Sequence, residues 1–145
     1  MGKINASRVL LGGLLAGVFI NLSEFFWNGV VFRSQIEAAM AAINRTEAAS
    51  SAGAMSLYVV WSFLIGILAV WVYAAVRPRF GAGARTAVRT GIMMWLLVYV
   101  QSMVSMAPMA LMPTRIMLIS LPVTLVEIII ATLLGAWLYK EESHA

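Results

Sequence analysis

The chain has 145 residues, of which 62% are hydrophobic and 11% charged. A soluble domain is roughly 45–50% apolar and about 25% charged, and one this short has too little interior to hide such an excess. Cysteine is absent and the one histidine is His144, which excludes disulfides, thiolate metal sites, iron–sulfur clusters, a cysteine nucleophile and bis-histidine haem within one chain. The net charge of +4 reads as topology rather than nucleic-acid binding, because the basic residues flank apolar runs.

About 20 apolar residues cross a bilayer as a helix, and four runs qualify: Val9–Phe32, Ala54–Val76, Gly91–Leu111 and Ile116–Leu138. None alternates with period 2, so a β-barrel is excluded, and only helices remain for spanning lipid. The predicted fold is all-α: one transmembrane domain over 1–145, a four-helix bundle. The first run is too long for the apolar core of a signal peptide and carries polar residues inside it. Its Gly13, Gly17, Asn21, Glu24 and Asn28 share one helical face, which is expected to point into the bundle.

Between the first two runs, Ser34-Gln35-Ile36-Glu37 fits a capping box, and Ile36, Met40 and Ile43 follow at helical spacing. This predicts a short amphipathic helix over about 35–48, lying on the extracytoplasmic face. The second span presents Ser62, Gly66, Ala69 and Tyr73 on one face. The connection RPRFGAGARTAVR at 77–89 is read as a loop whose Arg77, Arg79, Arg85 and Arg89 meet lipid headgroups. Trp71 and Tyr73, like Trp137 and Tyr139, fall near span ends, as aromatic belts do.

The third span offers Met94, Val98, Gln101, Ser105 and Pro108 on one face. The fourth offers Ser120, Thr124, Glu127, Ala131 and Gly135, and Pro122 is expected to kink it. Met103, Met106, Met109 and Met112 repeat every three residues. That step spirals round a helix instead of converging, so packing is preferred to copper ligation. No catalytic residue, metal set or cofactor is expected, since nothing resembles a nucleophile–base pair.

Lys3, Arg8, Arg77, Arg79, Arg85, Arg89 and Lys140 lie on one side of the spans, and Arg33, Arg45 and Arg115 on the other. Seven against three places both termini in the cytoplasm, with the cell inner membrane as the expected location. Asp is absent, so Glu24, Glu37, Glu47, Glu127, Glu141 and Glu142 are the side-chain carboxylates. Asn21, Glu24, Asn28, Gln101 and Glu127 are expected to form a buried polar layer near mid-membrane. An ionised acid there costs at least ~2.5–3.5 kcal/mol, and no basic residue shares that depth. At least one of Glu24 and Glu127 is therefore expected to be protonated at neutral pH.

The segments INLSEFFWNGVVF at 20–32, VYAAVRPRFGAGARTA at 72–87, MPTR at 112–115 and LLGAWLYKEE at 133–142 resemble a group of small four-helix bacterial membrane proteins with no assigned activity. The resemblance covers nearly the whole chain and implies topology alone. Small multidrug-resistance transporters share four spans and a carboxylate in the first, but their motifs are not found here. Two functions stay open. One is translocation of an ion, proton or small solute by a homo-oligomer using Glu24 and Glu127. The other is a noncatalytic accessory or scaffold subunit of a larger membrane complex.

Overall fold

The computed structural model describes residues 3–110 and 112–141. Leu111, Glu142 and His144 lie outside the described residues. Among the described residues the chain is helical, with no strand. Helix α1 (Ala6–Phe26) continues through a π-helical turn, Trp27–Val31. Two short helices come next, α2 (Arg33–Ala42) and α3 (Thr46–Ala49), then the long α4 (Ala52–Phe80). Helix α5 (Ala84–Met94) widens into a π segment, Trp95–Val100, and runs on as α6 (Gln101–Met106) and a 3₁₀ turn, Ala107–Met109. Helix α7 (Thr114–Leu138) completes the chain. Among the described residues, four helical stretches are long and apolar enough to cross a membrane: Ala6–Val31, Ala52–Phe80, Ala84–Met109 and Thr114–Leu138.

The boundaries correct several expectations. The 77–89 stretch is mostly helix, because arginine, alanine and threonine do not stop a helix merely by carrying it out of an apolar phase. Only Gly81, Ala82 and Gly83 connect α4 to α5, with Gly81 at φ 85° and Gly83 at φ 118°, the left-handed region that glycine occupies without penalty. The Tyr73 hydroxyl accepts the Gly83 N–H at 3.1 Å, and Thr86 Oγ1 donates to the Gly81 carbonyl at 2.7 Å, so side chains satisfy this tight turn.

The expected single helix over 35–48 is broken after Ala42. Asn44 adopts φ 54°. Its N–H reaches the Ala41 carbonyl at 3.1 Å, and the Arg45 N–H reaches Met40 at 2.8 Å. This double bond pattern, with an asparagine in the left-handed position, is a Schellman stop. The capping box is not formed either: Ser34 Oγ donates to Gln35 Oε1, and Glu37 instead meets Arg33 Nε at 2.8 Å.

Glycine decides how the long helices pack. A Cβ on Gly66 of α4 would lie 2.5 Å from both the Gly13 carbonyl oxygen and the Gly17 nitrogen of α1, and one on Gly12 would lie 2.5 Å from the Gly135 oxygen of α7. The expected Gly13-x-x-x-Gly17 contact is therefore with α4, while the neighbouring Gly12 seats α1 on α7. Gly91 brings α5 against Ile129 of α7 in the same way. Helix α7 thus touches α1, α4 and α5, whereas α1 and α5 lie on opposite sides of the α4–α7 pair. Ala16, Ile20, Ala69, Val70, Ile128 and Ala131 form the fully buried centre.

The outer surface is apolar. Leu22, Leu57, Leu97, Leu118 and Trp137 are each more than 60% exposed. Such a surface is a liability in water and the ordinary state in lipid. The two W-x-Y segments split by spacing: Trp71 and Trp137 face outward, while Tyr73 and Tyr139 are buried and meet edge to face at 6.0 Å. The tyrosines are thus core residues at that end rather than belt residues.

Candidate functional site

Glu127 sits on the inward face of α7 and is 4% exposed. Its position comes from helical spacing: Thr124, Glu127, Ile128, Ala131, Thr132 and Gly135 are all buried on this helix. The Tyr99 hydroxyl donates to Glu127 Oε1 at 3.0 Å. Tyr99 in turn is positioned by the π segment of the third span. One turn earlier on that segment, the Trp95 Nε1–H reaches both the Leu121 carbonyl, at 3.0 Å, and Thr124 Oγ1, at 3.2 Å. Thr124 Oγ1 also donates to the Ser120 carbonyl at 2.8 Å. The Trp95 bond joins the third span to the α7 backbone beside Pro122, and α7 runs unbroken through the proline.

From the other side, α1 brings Ser23 and Glu24. Glu24 is close enough to interact electrostatically with both Glu127 and Tyr99, and its Oε2 accepts a hydrogen bond from Asn28 Nδ2. The groups acting on Glu127 are Glu24, Ser23 and Tyr99, none of them cationic. Phe19, Ser23 and Trp27 of the first span, with Pro122, Val123, Val126 and Ile130 of α7, line a cleft of about 420 Å³ that contains Glu127. The site is a pair of acids with one phenol donor, of which Glu127 lines an apolar groove between two helices.

Of the five residues expected in one buried layer, the structure brings two acids together and separates the amides. Asn28 is exposed but remains bonded to Glu24. Asn21 turns to α4, where Nδ2 donates to the Val59 carbonyl at 3.4 Å, and it also bonds Gly17 of its own helix at 2.9 Å. Gln101 is exposed, and its Nε2 donates to Ser105 Oγ, one turn along the same helix. The reason is the π segment. Bonding i to i+5 adds a residue to the turn and rotates the remainder of the span by a further ~100°. Gln101 and Ser105 then leave the face that carries Met94 and Tyr99.

Sequence reasoning missed Tyr99, Trp95 and Ser23. Tyr99 did carry a signal: it lies in mid-span, far from either interface, where a phenol needs a hydrogen-bond partner. The four methionines do not converge. Met103 and Met112 line a separate apolar cleft of about 600 Å³ beside Ala39 and Ile43, whereas Met106 and Met109 are exposed.

The arginines assigned to lipid divide in two. Arg79 and Arg85 are exposed. The Arg77 guanidinium instead lies 5.6 Å from the Tyr139 ring centroid, with Glu141 Oε1 3.4 Å from its Nη1. Arg89 is exposed as well, and its guanidinium lies over the Phe80 ring at 5.7 Å. These aromatic contacts hold the α4–α5 turn to its own helices and to the end of α7.

Fold and site together define an all-helical chain with four helices of membrane-spanning length and an acid pair in its interior. Comparison with protein families, with curated proteins and with solved structures finds no match for this chain.

Proposed function

We propose that this chain is a multi-pass protein of a bacterial inner membrane, with both termini in the cytoplasm, that moves protons, alone or coupled to a small solute, through exchange at Glu127 and Glu24. The observation that carries this reading is Glu127 itself: a carboxyl 4% exposed, bonded by Tyr99, with a second acid as its neighbour. Intramembrane acids are costly enough that two at one place favour a working site over helix glue. Tyr99 occupies Oε1, so a proton carried by Glu127 belongs on Oε2. Releasing it creates a carboxylate beside Glu24, and mutual repulsion then keeps one proton shared between the two acids. The cleft between α1 and α7 supplies the opening through which a proton donor or a solute reaches Glu127.

The test uses purified protein in lipid vesicles loaded with a pH-sensitive dye. An imposed pH gradient should collapse faster than in protein-free vesicles, and Glu127→Gln should remove most of the difference. Wild-type flux equal to the protein-free leak defeats the proposal.

A second reading is a noncatalytic accessory subunit. Its support is the bare outer half of the third span, since Gln101–Met109 scarcely touches the other three long helices. Pull-down of a tagged chain from native membranes separates the two readings: a single large assembly of other proteins supports the accessory role.

A further inference from the structure

The third span is the least covered of the four. In its apolar window 6% of residues are buried, against 33%, 39% and 33% in the others. From Gln101 to Ala110 every residue but Met103 is exposed, and the polar face of this bare segment carries Gln101, Ser105 and Pro108, in line with Leu97, 65% exposed, at i, i+4, i+8 and i+11. Gln101 lies twelve residues from Arg89 and fourteen from Arg115, about 18 Å along the helix from the first at 1.5 Å per residue. That depth is within hydrocarbon about 30 Å thick. A carboxamide left in lipid at that depth loses its hydrogen bonds with water and gains none.

The bonds already made define what is missing. A carboxamide offers two N–H donors and one carbonyl oxygen. Among the described residues, Gln101 spends one N–H on Ser105 Oγ at 3.0 Å, and Ser105 Oγ in turn donates to the Gln101 main-chain carbonyl at 2.8 Å. One N–H and the side-chain oxygen remain. These are the complement of the same two groups on another Gln101.

We infer that this face is the interface with a second copy of the chain, with the two Gln101 carboxamides paired across a twofold axis along the membrane normal. Depth selects the partner. All copies obey one charge bias and insert the same way, so a second copy carries its own Gln101 to the same level without further design. An unrelated partner has to place a matching polar group there. Ser105 is small, which lets the two helices approach beside the pair. The interface is independent of the acid pair, and its failure leaves the reading of Glu127 untouched.

The absence of cysteine makes the test clean. Ser105→Cys and Leu97→Cys, introduced singly and oxidised in native membranes, should each give a crosslinked homodimer. Leu64→Cys, equally apolar in setting and 51% exposed on α4, should not. In vesicles, Gln101→Leu should weaken dimer formation about 3-fold to 10-fold, as expected for one or two interhelical hydrogen bonds, with the chain still folded by circular dichroism. Absence of the homodimer, a crosslink to a different protein, or equal crosslinking from Leu64→Cys overturns the inference, as does a Gln101→Leu variant that dimerises like the wild type.

Discussion

Glu127, Tyr99 and Glu24 concentrate what this molecule can do chemically into three side chains. In a bilayer, a carboxylate at Glu127 has only a phenol and a serine to solvate it, and a like-charged neighbour to oppose it. The proposed exchange rests on a Glu127 that carries its proton at rest, since ions are costly in hydrocarbon. At neutral pH the infrared difference spectrum between wild type and Glu127→Gln should show loss of a protonated-acid carbonyl band. A spectrum containing carboxylate bands alone rejects a protonated Glu127. Tyr99→Phe should move that band, because it removes the donor to Oε1, and should lower stability by about 0.6 kcal/mol, the average for such bonds between membrane helices. The residues of the site were half legible. Both acids stand out as unpaired charges in apolar runs. Tyr99 is signalled only by its place in mid-span, which is easily passed over because tyrosine in membrane sequences is read first as an interfacial residue.

At the scale of elements, small residues and widened turns do most of the positioning. Gly66 permits backbone contact between α1 and α4 at a place where a Cβ has no room. Gly66→Val should therefore lower the thermal stability of the purified protein by about 1–3 kcal/mol, the usual cost of overpacking. Gly53→Ala, on the same helix with nothing within 4 Å of the added carbon, should leave stability unchanged or slightly raised. Equal melting of the two variants rejects the close α1–α4 seam. The glycine pattern was visible in sequence, but which glycine meets which helix was not: Gly12 and Gly13 are neighbours that serve different partners. The π segments were not legible at all. Nothing in Trp95–Val100 as a string announces a widened turn; it is held by Trp95 and Tyr99 reaching Leu121, Thr124 and Glu127 across the helix boundary. That is a tertiary preference overriding local periodicity.

For the molecule as a whole, charge distribution predicts orientation. The Gly81–Gly83 turn stands among four arginines, and the α2–α3 segment among two. With single cysteines placed at Asn44→Cys and Ala82→Cys, both exposed positions, a membrane-impermeant maleimide applied to intact cells should label position 44 alone. Labelling of position 82 alone inverts the topology, and labelling of neither or both rejects this two-sided arrangement. The apolar outer surface and the buried Gly12, Gly13, Ala16 and Gly17 stripe of α1 belong to the same design: large apolar side chains outward, small ones inward to permit contact.

Four long apolar helices, the ends of them that carry positive charge and two acids in need of shelter are all legible in the order of residues alone. Those facts depend on run length, composition and the cost of charge in hydrocarbon, all of which are summed locally along the chain. The tertiary structure decided the rest: that the acids meet Tyr99 rather than Gln101, that Asn21 serves α4, that Tyr73 and Tyr139 meet in the core, and that the outer third span is left bare. Each of these depends on helix rotation. Rotation is set by contacts between residues far apart in the chain, and a single widened turn changes it for everything downstream.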